Sequence, residues 1–123
     1  MRLRRQFGLV LGAVLAVLPP ARAHHSYAMF DATREVELVG VVKEFQWTNP
    51  HIWIELVVDQ QGKSVLYSIE GGATQSLARH GFRRTIFKPG DTVTVVVNPL
   101  KSGEPGGSFV RAIAADGQLV TDR

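Results

Sequence analysis

HIWIELVVD, residues 51–59, decides the fold. Ile52, Ile54, Leu56 and Val58 take every second position, and His51, Trp53, Glu55, Val57 and Asp59 fall between them. A strand turns successive side chains to opposite faces, so this spacing separates an aliphatic face from a mixed, polar one. The aliphatic face is the core side. His51 opens the expected strand directly after the turn signal Asn49-Pro50.

Working outward, Gln60-Gln61-Gly62-Lys63 reads as a hairpin loop and Ser64 to Glu70 as the returning strand. On the other side, Glu35 to Phe45 is rich in valine, and Gly40 within it marks a bulge or a bend. Thr74 is placed to cap a short helix, with Leu77 as its apolar residue and Gly81 as its stop. Lys88-Pro89-Gly90-Asp91 is a turn, and Thr92 to Asn98 is a strand with Val93, Val95 and Val97 on one face. KSGEPGGS, residues 101–108, reads as a loop before a last strand, Phe109 to Ala115. Three strands, a short helix and two strands is the element order of an OB-fold. The expectation is therefore a mainly β protein: a small five-stranded OB-fold-like barrel with one short helix between strands 3 and 4. A small open β-sandwich is the competing arrangement.

The N-terminus is not fold material. Arg2, Arg4 and Arg5 precede an apolar stretch from Phe7 to Leu18. Pro19-Pro20 breaks it, and Ala21-Arg22-Ala23 has the small-x-small form of a signal-peptidase site. The stretch is too short to span a bilayer. The division expected is a signal peptide over residues 1–23 cut after Ala23, an irregular arm over 24–34, and one β-barrel domain over 35–123. The product would be periplasmic or secreted, without stable membrane insertion. The chain carries 14 Lys and Arg against 11 Asp and Glu, but Arg2, Arg4, Arg5 and Arg22 leave with the leader. The remainder is close to neutral and has no basic footprint for nucleic acid. Cysteine is absent, so no disulfide framework supports the domain.

HHSYAMFD, EFQWTNPHIWIEL, IEGG, KPGD and NPLKSGEPGG follow one another along the chain. Taken together they resemble an exported bacterial family catalogued as domain of unknown function 6152, over nearly all of the chain beyond the leader. The resemblance implies a short, signal-bearing protein and carries no activity with it.

Chemistry must be read from the residues. Cleavage after Ala23 would leave His24 with a free α-amino group, followed by His25. The amine and the imidazole Nδ1 of such a residue close a six-membered chelate around one ion, and both lose a proton readily near neutral pH. A nitrogen-rich set of this kind suits Cu(II), or another divalent metal. His51, aimed to the non-core face by the turn before it, is the expected third ligand, and Met29 a soft addition. His80 stands at a helix end, where an imidazolium complements the dipole, and needs no further role. A disordered polar terminus and a backbone-bonded His51 are the plain alternatives.

The second reading is a non-metal module. The outer face of strands 2 and 3 is the usual OB-fold ligand platform. Trp53 could stack there on a sugar or peptide, with Glu55 and Tyr67 beside it. An arm folded across Trp53 through Tyr27, Met29 or Phe30 would close that platform. Glu55 and Glu70 could face each other across the strands, though a solvated face is the simpler account. EGGAT and Arg83-Arg84 are modest anion cues. No Ser/His/Asp set and no cysteine nucleophile stand out, so binding is expected rather than catalysis. A copper oxidase built on a terminal histidine comes third. The expected partner is thus a metal ion, a small molecule or an envelope protein.

Overall fold

The structure is a computed structural model that describes residues 27–122; the expected leader lies outside them. A 3-10 turn, Tyr27–Met29, precedes β1 (Val36–Gln46), β2 (Trp53–Gln60), β3 (Lys63–Glu70), α1 (Thr74–Arg79), β4 (Thr92–Pro99), β5 (Gly106–Ile113) and β6 (Leu119–Thr121). Antiparallel pairing runs β3-β2-β1-β4-β5-β6, and a parallel pairing of β3 with β5 closes the first five into a barrel. This is the OB-fold-like closure read from the sequence, with α1 between β3 and β4. β6 is an addition. It folds back on β5 through a turn in which Gly117 takes a φ of 85° and donates to the Ala114 carbonyl.

The alternation in residues 51–59 has its expected effect. Ile52, Ile54 and Leu56 are fully buried, and they meet Leu38, Val42, Ile69, Val93, Val95, Val97 and Phe109 in one core. Leu77 of α1 and two loop aromatics, Phe82 and Phe87, belong to the same core. Phe82 packs edge-on against Phe109 and Phe87, with ring centres 5.2 and 6.1 Å apart. Such pairs add about 0.5–1.5 kcal/mol each beyond their buried area.

The β2–β3 turn fixes what lies on each face. Gln61 and Gly62 have φ of 56° and 84°, the pair of left-handed residues that a two-residue I′ hairpin requires. The register that follows sets Trp53 opposite Glu70, Glu55 opposite Ser68 and Leu56 opposite Tyr67. Residues facing each other across a ladder share a face. Tyr67 therefore points inward with Leu56 and packs on the core, which corrects its expected place on the outer face.

Three further expectations are corrected. Gly40 holds regular partners on both sides, Val58 and Val93, and the bulge falls at Lys43 instead. Glycine is needed at residue 40 because a Cβ there would sit 2.5 Å from the Val57 carbonyl oxygen. Thr74 is not the cap of α1. Ala73 holds that position, and the Thr74 amide and hydroxyl both donate to the Asn49 Oδ1, 3.0 and 2.9 Å away. The last barrel strand begins inside the expected loop, at Gly106 rather than Phe109. Gly106 and Gly107 form the parallel seam with Ser68 and Ile69, where a Cβ would stand 2.8 Å from the Ser68 oxygen or 2.7 Å from the Asn98 oxygen. Beside these, the described part of the arm carries one 3-10 turn and is held against the barrel. Phe30 is buried and bridges to Leu100, Asp31 donates to the Pro99 carbonyl, and Lys101 donates to the Met29 carbonyl.

Candidate functional site

The outer face of the β2–β3 hairpin carries the site residues at its end nearest the arm. Period two brings His51, Trp53 and Glu55 outward from β2 and its lead-in, and the I′ register brings Ser68 and Glu70 outward from β3. Glu55 and Glu70 share this face but are diagonal, not opposed. The Ser68 hydroxyl donates to the Glu55 Oε1 at 2.6 Å, while Glu70 stands across from Trp53.

His51 has a defined orientation. Its Nδ1 lies 3.0 Å from the Gly71 carbonyl oxygen, which can only accept, so this nitrogen carries the proton. The same Nδ1 is 3.3 Å from the Glu70 Oε1. In the neutral ring that assignment leaves Nε2 with the lone pair. The carbonyl is itself placed by the backbone on either side, because the Gly71 amide donates to the Ile52 carbonyl and the Ile52 amide donates to the Gly72 carbonyl. Glu70 is the only buried charged side chain among the described residues, at 7% exposure. His80, by contrast, is satisfied locally, with its Nδ1 donating to the Ser76 carbonyl at 3.0 Å.

The arm lies beside this face. Met29 and Phe30 line a cleft of about 240 Å³ together with Trp53, Ser68 and Glu70. Trp53 is accordingly half-buried, neither open nor sealed. Tyr27 and Phe30 line a second cleft, about 400 Å³, whose wall includes Gly71 and Gly72. His24 and His25 lie outside the described residues. Among the described residues, no group of three or more His, Cys, Asp or Glu side chains is arranged to hold a metal.

The structure thus brings His51, Trp53, Glu55 and Met29 to one side of the barrel and takes Tyr67 away from it. It adds Glu70 and Ser68, whose importance follows from counting the hairpin register from Gly62, and Glu104, which a loop supplies. No helix among the described residues is long and apolar enough to cross a membrane. Comparison with curated proteins and with solved structures gave no match. A family model described as a family of unknown function (DUF6152) matches residues 13–109.

Proposed function

The chain belongs to DUF6152, and from that premise we propose that its mature form is an exported metal-binding protein, holding copper or another divalent ion between its N-terminus and His51. The observation that carries the reading is the Nδ1 anchor of His51 on the Gly71 carbonyl. Histidines that ligate metals typically donate their other ring proton to a carbonyl or carboxylate, which fixes the tautomer and aims the free nitrogen. His51 has both partners, Gly71 and Glu70, before any metal is considered.

The arm supports the same reading. Phe30 fixes it to the barrel, and Tyr27 lines a cleft with Gly71, the residue that orients His51. His24 precedes Tyr27 by three residues, a reach of about 10 Å in extended chain. With cleavage after Ala23, the His24 amine and Nδ1 would supply two donors and His51 Nε2 a third. His25 and Met29, which is 41% exposed, are available as additional donors. The task this fits is metal carriage, buffering or delivery in the periplasm or outside the cell.

The test is to express the full chain in a bacterial host, recover the exported protein and measure its intact mass and bound metal. Cu(II) titration should then show one tight site. Replacing His51 with Ala should weaken it about tenfold or more, the scale on which loss of a ligand's orienting partner already acts. One residue added before His24 should abolish the terminal chelate. Equal affinity in wild type, His51→Ala and the extended protein would refute the proposal.

A further inference from the structure

We infer that the cleft between the arm and the β2–β3 face is a binding site for an organic cation, an alkylammonium head group. This inference does not rest on the terminal metal site. Its walls combine apolar side chains, Met29, Phe30, Leu100 and Pro105, with the Trp53 indole and the carboxylates of Glu70 and Glu104. An aromatic ring next to carboxylates in an apolar recess favours a cation that is itself weakly hydrated, because the ring face attracts positive charge where water is excluded.

Three observations point to a ligand. First, Glu70 is more than nine-tenths buried, yet its neighbour His51 is bonded elsewhere. The His51 Nδ1 proton goes to the Gly71 carbonyl at 3.0 Å, and the Glu70 Oε1 stands 3.3 Å from the same nitrogen as an ion-pair neighbour only. Neither Glu70 oxygen is left buried and unsatisfied, so the second oxygen, without a protein hydrogen bond among the described residues, keeps some exposure, and Glu70 lines the cleft. A largely buried carboxylate with an accessible oxygen and only a histidine beside it favours a positive group at that opening. Second, no Lys or Arg lines the cleft. Lys101, next in sequence to the cleft residue Leu100, is exposed, and its charge acts on Asp31. The ion pairs found among the described residues are His51 with Glu70 and Arg111 with Glu35, so Glu104 and Glu55 remain without one. Third, these carboxylates do not form a metal cage among the described residues. A spread of acid around an indole suits a cation with its own carbon skeleton better than a bare ion.

An alkylammonium group has two sources, a free amine and a lysine side chain of a polypeptide. The test uses the protein as isolated, stripped of metal with EDTA, so that failure of the copper site leaves it unaffected. Indole cross-peaks of Trp47 and Trp53 are followed by NMR and assigned with Trp47→Phe. n-Butylammonium chloride should shift the Trp53 peak saturably, whereas 1-butanol and matched sodium chloride should not. A short acetylated peptide containing one lysine is titrated beside it. A tighter response to the peptide assigns the cleft to a protein partner, and a tighter response to the amine assigns it to a metabolite. Glu70→Gln should weaken binding about tenfold or more, as expected when one member of a buried charge pair is removed. Glu104→Gln, in an exposed loop, should weaken it several-fold and serves where Glu70→Gln fails to fold. An equal response to 1-butanol or to magnesium, or unchanged affinity in both variants, overturns the assignment.

Discussion

Asp31 holds the turn that leads from the arm into β1. Its carboxylate accepts the Thr33 hydroxyl at 2.6 Å and the Thr33 amide at 3.0 Å. These two bonds, the hydroxyl first, hold its pKa below the ordinary 3.8, and the charges of Arg34 and Lys101 add to the effect. A depressed carboxylate contributes stability above its unfolded value and loses it as pH falls through the folded one. The window therefore lies below pH 3.8. The Thr33 amide resonance should titrate with a midpoint under that value, and a midpoint at or above it would contradict the assignment. Single residues also mark where sequence reading stops. The inward direction of Tyr67 was available by counting outward from Gln61-Gly62, since a two-residue turn fixes every rung. The role of Asn49 was not, because its partner Thr74 is 25 positions away and nothing local announces the pair.

At the level of elements, the arm behaves as a separate piece. Phe30 is buried at 7% exposure but stands apart from the main core cluster. Its packing fastens the arm rather than the barrel. A buried Phe cut to Ala costs about 3–5 kcal/mol, and here that loss should fall on arm attachment. Phe30→Ala should speed tryptic cleavage after the exposed Arg34 while the barrel keeps its far-UV circular dichroism. Unchanged cleavage would show that the backbone bonds from Asp31 and Lys101 hold the arm alone. The strong elements were legible because their signal is local: alternation in β2 and β4, and glycine at the helix stop. β6 is only three residues long and exists because β5 offers it an edge. The sequence carries no period for it.

For the whole molecule, element order was enough to anticipate the barrel, since few closures accommodate three strands, a helix and two strands. The point of closure was missed. GEPGGS resembles a mobile loop, yet Gly106 and Gly107 are where β3 and β5 meet, with no room for a Cβ. Gly107→Ala would push against the Asn98 oxygen and the Val97 side chain. Overpacking of this kind costs about 1–3 kcal/mol. A thermal melt should fall by roughly 4–8 °C per kcal/mol in a domain of this size. An unchanged melting temperature would mean the seam is looser than its spacing indicates.

That seam has a consequence for ligand response. Ser68, Glu70 and Gly107 join the first and last strands of the closed ring and also floor the cleft beside Trp53. A molecule seated there grips both sides of the joint at once. Hydrogen–deuterium exchange at residues 106–108 should slow on adding butylammonium, while the distant Gln61-Gly62 hairpin tip stays unaffected. The barrel would then register its guest as resistance to unzipping, without changing shape.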